Sequence, residues 1–272
     1  MKKSLIVLLV CSLVFTFVLA GCGNNSKEAG KLVVGATPAP HAEILEEAKK
    51  YLQEKGIELE IKVFTDYTTP NTALADGSLD ANYFQHLPYL EDFCAENNLD
   101  LVSAGPVHYE PMGLYSEKIK SLSELKDGDQ IAVPNDVTNE ARALLLLQDN
   151  GILTLKDPNN LKATKADIAD YKVKVEIVEL EAAQISRVLP DVTAAIINGN
   201  YAIDAGLNPA TDAIVSEEAD SLAAQTYANI VAVRSGDENR EDIKALYEVL
   251  TSDEIKAFIN EKYQGAVVPS TN

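Results

Sequence analysis

The chain has 272 residues, 46% of them hydrophobic and 24% charged, with 14 glycines and 11 prolines. That is enough apolar material for one large domain or two ordinary ones, and it excludes a disordered, collagen-like or disulfide-stapled protein. Lysine and arginine number 23 against 42 acids, a formal charge of −19; no basic run offsets it, so the surface repels phosphate backbones and no nucleic-acid partner is expected.

Met1-Lys2-Lys3 is a short basic start, and no charged residue occurs from Ser4 to Ala20. This apolar run falls short of the ~20 residues of a stable membrane span and ends on small residues, as a secretory signal peptide does. Leu19-Ala20-Gly21-Cys22 resembles the cleavage box of bacterial lipoproteins, which implies removal of 1–21 and lipid modification of Cys22, palmitate included. The alternative is an uncleaved anchor with an incidental cysteine. The polar residues 22–30 suit a tether, so the expected location is the extracytoplasmic face of the cell membrane, held by lipid. Once Cys11 leaves with the signal and Cys22 is acylated, Cys94 remains without a disulfide partner, read as a small buried residue rather than a nucleophile.

Lys31 to Ala36 is a short apolar run. From Glu43, the residues Ile44, Leu45, Ala48, Tyr51 and Leu52 form an amphipathic helical stripe that Gly56 stops, and Ile57 to Val63 alternates as a half-buried strand. A helical piece at 70–76, a strand near 79–85 and a helix near 88–96 follow. A second series then reads as a helical turn within 118–129, a strand at 130–134, a helix at 139–149 and a polar loop at 157–169. A strand through Val173, Val175 and Ile177, a helix at 182–189 and strands at 194–197 and 229–233 come next. Helices at 241–250 and 253–263 close the chain. Strands alternating with helices argue for α/β architecture, with mostly parallel sheets flanked by helices on both faces, in two lobes separated near 108–115.

No phosphate loop, nucleophile elbow, Cys-x-x-Cys or His-Glu-x-x-His occurs, and His41, His86 and His108 lack metal-ligand spacing. No enzyme activity, metal or cofactor is therefore expected, and His41 and His108 are assigned ordinary structural or surface roles.

Two stretches carry chemistry. In the first, Tyr67 precedes Asn82-Tyr83-Phe84-Gln85-His86 and Tyr89. In a strand Asn82, Phe84 and His86 share one face, with Tyr83 and Gln85 on the other. At a cleft, Phe84 and His86 with Tyr67 and Tyr89 would wall an apolar slot; elsewhere the same rings would simply fill a core. In the second, a strand ending at Pro134 runs into a helix whose first turn holds Asn139 and Arg142. A guanidinium beside free helix N–H groups is a carboxylate site. The alternative is that Arg142 pairs with a neighbouring acid on a solvated face.

Asp80-Ala-Asn-Tyr-Phe-Gln-His86 with Pro88-Tyr89-Leu90 resembles the hallmark of the NlpA-type methionine-binding lipoproteins, substrate-binding subunits of ABC importers. His108-Tyr-Glu110-Pro-Met-Gly, Pro134-Asn-Asp136 with Thr138-Asn139 and Arg142, Asn198-Gly-Asn200-Tyr-Ala and Tyr227-Ala-Asn229 are similar to that family's other motifs, in order. The resemblance implies a two-lobed, Venus-flytrap fold of the periplasmic-binding-protein type. Lobe 1 would comprise 31–109 plus 231–272 and lobe 2 110–230. The implied ligand is L-methionine or a close analogue, and the implied partners are an ABC permease and its ATPase subunit.

In that frame Arg142, supported by Asn139 and the helix N-terminus, takes the carboxylate. Asn200 and Asn229 take the ammonium, with Glu110 as a further candidate. Tyr67, Phe84, His86 and Tyr89 wall the thioether, and Tyr83 belongs either to this wall or to the core. Other ligands stay open: D-methionine, a methionine-containing dipeptide or another amino acid. So do the other classes, an exported lipoprotein enzyme or an adhesin.

Overall fold

Leu32, Val34 and Ala36 of β1 (Gly30–Ala36) are fully buried, and the first sheet is assembled around them. The computed structural model describes residues 30–218 and 226–270. The expected signal peptide, Cys22 and all of the tether except Gly30 lie outside the described residues.

A short irregular turn (Pro38–Ala42) leads into α1 (Glu43–Glu54), where Ile44, Leu45, Ala48 and Leu52 form the buried stripe. Gly56, at φ +76°, then reverses the chain, a left-handed conformation that costs glycine nothing. β2 (Ile57–Val63) pairs in parallel with β1 and lies at the sheet's edge. Its expected alternation therefore fades towards the far end, where Val63 is exposed.

α2 (Thr69–Ala75), β3 (Ala81–His86) and α3 (Leu87–Asn97) follow. The His86 ring caps α3 by accepting the Tyr89 N–H, and Asn98 ends it in the left-handed conformation at φ 53°. β4 (Leu101–Tyr109) escapes the hydrophobic pattern because two irregularities in its pairing with β12 (Asn229–Arg234) break its alternation.

With β13 (Val268–Pro269) the first sheet has the order β13-β4-β12-β3-β1-β2. The second has the order β11-β5-β10-β6-β9, made of β5 (Gly113–Tyr115), β6 (Gln130–Pro134), β9 (Glu176–Leu180), β10 (Ala194–Ile197) and β11 (Val215–Ser216). β7 (Leu153–Leu155) and β8 (Ile168–Tyr171) pair apart from both, at the two ends of the stretch 157–169 expected to be a loop. Both sheets are mixed. Pairing is parallel through β3-β1-β2 and β10-β6-β9, where helices connect the strands, and antiparallel where β4, β12 and β5 carry the chain across.

Helices cover both faces of each sheet. α1, α7 (Glu241–Leu250) and α8 (Asp253–Tyr263) bury one face of the first around Val34, Val231, Leu246 and Ile255, while Leu74 and Leu90 of α2 and α3 cover the other. On the second sheet α4 (Val137–Asp149) packs through Leu144 and Leu147, and α5 (Ala182–Val188) and α6 (Gly199–Asp204) pack opposite through Ile185 and Ala202. The chain passes from the first sheet to the second through 110–112, and returns between β11 and β12.

Candidate functional site

Between the sheets lies a narrow cavity of about 20 Å³. It is lined by Tyr67, Phe84, His86, Tyr89, Glu110, Asn139, Arg142, Asn200 and Asn229, together with Gln85, Asn198 and Gly199. Apart from half-buried Tyr67, each of these nine sequence-nominated residues is buried.

Tyr83 is the exception. It does not line the cavity; it is fully buried in the core of the first sheet, packs edge-on against His41 and His108, and shares a hydrogen bond with His108 Nδ1. Strict alternation along β3 also fails. Val231 pairs with Tyr83 and Ile230 with Gln85, which leaves Phe84 as an extra residue in a β-bulge. The bulge puts Asn82 and Gln85 on one side, where both bond Asn71, and not on opposite sides as a period of two requires.

The aromatic wall comes from the first sheet. Phe84 and Tyr89 stand 6.3 Å apart in a T-shaped arrangement, and Tyr67 lies 5.7 Å from Phe84 and 5.6 Å from Tyr89. His86 has both ring nitrogens engaged: Nδ1 accepts the Tyr89 N–H at 3.2 Å and Nε2 donates to Asn139 Oδ1 at 3.1 Å. Burial, reinforced by the nearby Arg142 charge, lowers its pKa to about 3, so the ring is neutral.

From the second sheet, α4 contributes Asn139 and Arg142. The reading of its N-terminus as an open carboxylate site is overturned by Asp136. This N-cap accepts the Asn139 N–H at 3.0 Å, the Thr138 hydroxyl and the Asn139 Nδ2 shared between its two oxygens, so the chain's own carboxylate occupies the helix end. Asn139 is engaged on both sides of its amide: Nδ2 donates to Asp136, and Oδ1 accepts from His86 and from Asn198 Nδ2 at 2.8 Å.

Arg142 does pair with an acid, but a buried one. Nε and Nη2 fork onto Glu217 at 2.8 and 2.6 Å, and Nη2 also donates to the Glu110 carbonyl at 2.9 Å. The guanidinium lies over the Tyr227 ring, 4.5 Å from its centroid. Burial opposes its charge, and the Glu217 carboxylate more than offsets that, keeping the pKa above its ordinary value. Arg142 also lines the cavity, so its guanidinium can meet an anion placed there.

The remaining polar groups are acceptors. Asn200 Oδ1 takes the Tyr67 hydroxyl at 2.5 Å, and Asn229 Oδ1 takes His41 Nε2–H at 3.1 Å; each keeps a second lone pair. Glu110 sits on the chain link between the sheets. Burial pushes its carboxyl above the ordinary range, opposed by His41, by the Arg142 charge and by the Asn200 N–H. Gly199 permits this approach, since a Cβ there would lie 2.5 Å from Glu110 Cβ.

Residue-type reasoning passed over Asn198 and Glu217. Asn198 Oδ1 is buried without a hydrogen-bond partner among the described residues, an acceptor on a residue of the cavity wall. Its only signal in the sequence was its place two residues before Asn200. Glu217 stands 75 positions from Arg142 and carries no local signal.

The arrangement thus presents a guanidinium, several carbonyl and carboxylate acceptors, and a ring-lined wall around one cavity. Comparison with known proteins points the same way. Residues 32–271 match the model of the NlpA lipoprotein family. The chain is 46% identical to the methionine-binding lipoprotein MetQ of Bacillus subtilis, over 94% of this chain and 95% of that one. A Ruminococcus gnavus structure described as a lipoprotein superposes with a TM-score of 0.88 at 55% identity, covering 89% of this chain and 100% of the other. A nutrient-binding protein of Burkholderia cenocepacia bound to methionine superposes with a TM-score of 0.84 at 43% identity, covering 88% and 100%. Since that family match extends from β1 to the C-terminal strand and beyond, the chain belongs to the NlpA lipoprotein family.

Proposed function

We propose that this protein is a solute-binding subunit, held by lipid on Cys22 at the extracytoplasmic membrane face, that captures methionine and delivers it to an ABC permease driven by its ATPase subunit. The observation that carries the reading is the cavity, which Arg142 lines together with acceptors and rings. A zwitterion would set its carboxylate on Arg142 and its ammonium among Asn198, Asn200, Asn229 and Glu110. The thioether would lie against Phe84, Tyr89 and Tyr67, where each sulfur–aromatic contact contributes about 0.3–1.5 kcal/mol.

The methionine named for the Bacillus and Burkholderia relatives supports this choice of ligand. The family's lipoprotein name supports the anchor, as does the lipobox. No helix among the described residues is long and apolar enough to cross a membrane. The two lobes would be 31–109 plus 231–272 and 110–230, closing on the ligand as residues from both sides meet it.

A capture protein also needs no reactive group. Both ring nitrogens of His41, His86 and His108 are committed to hydrogen bonds within the protein. The test is calorimetry on protein stripped of solute by unfolding and refolding, with mass spectrometry of whatever is released. Methionine should bind and alanine bind far more weakly. Refolded protein that takes up no methionine would sink the proposal.

A further inference from the structure

His41 and His108 lack any spacing that marks a site, yet both are fully buried directly behind the cavity. Their Nδ1 atoms share hydrogen bonds with hydroxyls, His41 with Thr37 at 2.7 Å and His108 with Tyr83. Their Nε2 atoms converge on one oxygen, Glu110 Oε1, at 3.2 and 2.7 Å. His41 Nε2 also reaches Asn229 Oδ1 at 3.1 Å.

The tautomers follow. Oε1 of a carboxylate and Oδ1 of an amide are acceptors only, so each Nε2 must carry the hydrogen and each Nδ1 accepts from its hydroxyl. Burial keeps both rings neutral, with pKa values lowered to about 4 for His41 and about 3 for His108. The Glu110 carboxylate receives the His108 N–H and the Asn200 backbone N–H, while the single His41 Nε2 hydrogen goes to Asn229 and the ring stands 3.2 Å from Glu110, so both acceptors are fixed in position. The three side chains bring possible metal-ligating atoms within 4.8 Å of one another, but the Nε2 hydrogens occupy the lone-pair directions a cation would need.

We propose that His41 and His108 are positioning residues of the amino-acid site, which hold the Glu110 carboxylate, and through His41 also Asn229, in place to receive the ligand's ammonium. The inference rests on the reading of the cavity as an amino-acid site. Glu110 belongs to the stretch that carries the chain from the first sheet to the second and Asn229 opens β12 of the first sheet, so His41, beside both, ties the two halves of the ammonium subsite together.

The test compares two ligands by calorimetry: methionine, and 4-(methylthio)butanoate, which has the same chain and carboxylate but no ammonium. The unmodified protein should prefer methionine by about a hundredfold, a difference of about 2.7 kcal/mol. Glu110→Gln and His108→Leu should each shrink that preference about tenfold or more, while His108→Gln, which restores a donor near Nε2, should keep it within about threefold. Equal proportional loss of both ligands in His108→Leu would mark a role in folding alone and overturn the proposal. So would an unchanged preference in Glu110→Gln, or a stoichiometric metal ion found by elemental analysis of the purified protein. If His108→Leu does not fold, the contrast between Glu110→Gln and His108→Gln decides. Failure of the unmodified protein to bind methionine at all would instead refute the site reading.

Discussion

His86 Nε2 donates to Asn139 Oδ1 across 3.1 Å, and this bond joins the first sheet to the second through the wall of the cavity. Asn139 is held for the task by Asp136 and Asn198, so it acts as a knot between the halves. Asn139→Ala would strand the buried His86 N–H and the Asn198 amide without an acceptor. The expected loss of closure energy is about 1–3 kcal/mol, which corresponds to about five- to 150-fold weaker methionine binding. Calorimetry reads the affinity, and small-angle scattering should show a more open particle. Unchanged affinity and shape would remove Asn139 from the closing contact.

Phe84→Ala removes the centre of the ring wall. A large-to-small change at a site this well buried costs about 3–5 kcal/mol where the surroundings cannot collapse, and part of that should appear in binding. Methionine affinity should fall at least about tenfold further than alanine affinity, because only the longer side chain reaches the wall. Equal losses for both amino acids, measured by competition, would refute the wall.

Glu217→Gln should act in opposite directions on stability and on binding. Without its buried anion Arg142 is an uncompensated charge, a situation that costs about 3–5 kcal/mol, so the ligand-free melting temperature should drop by about 6 °C or more at about 2–4 °C per kcal/mol. The ligand's carboxylate then becomes the remaining counter-charge, and the rise in melting temperature produced by saturating methionine should exceed that of the unmodified protein. A smaller rise would mean that Glu217 chiefly orients Arg142.

Glu140 gives a pH test away from the cavity. Its Oε1 accepts the Lys165 N–H at 2.8 Å, and burial together with the neighbouring Glu179 carboxylate raises its pKa to about 7. The folded protein therefore retains a proton that the unfolded chain has released above the ordinary carboxylate range. This contribution to stability is complete below that range and is lost as pH rises through about 7. Glu140→Gln should be more stable relative to the parent at pH 8 than at pH 5, by denaturant unfolding at each pH. The same difference at both pH values would refute the raised pKa.

Much of this fold could be read from periodicity. Ile57–Val63, Gln130–Pro134 and Ala194–Ile197 show strand boundaries in their side chains, and α1, α7 and α8 show a one-sided apolar stripe. β4 could not be read this way, because its pairing irregularities remove the alternation that marks a strand. α6 is too short to display a helical period.

The site divides along similar lines. Residues inside compact motifs, such as Phe84, His86 and Asn200, stand out because several chemical types crowd together. Glu217 and His41 reach their partners by long-range contacts, and nothing in their neighbours along the chain announces them, whereas His108 and Glu110 lie two residues apart in one motif. Asn139 is instructive: its position was evident but its bond to His86 was not, because a partner on the other sheet leaves no mark in the neighbouring sequence.

The location of Glu110 on the connecting stretch 110–112 has a mechanical consequence. Any rotation that parts the two sheets must twist this stretch, so one of the groups that would grip an ammonium travels with the pivot, while Asn229 in β12 moves with the first sheet. Release of cargo is then geared to the bending itself: a force applied at the outer rims would slacken the grip at the axis before the rings across the mouth had moved far apart.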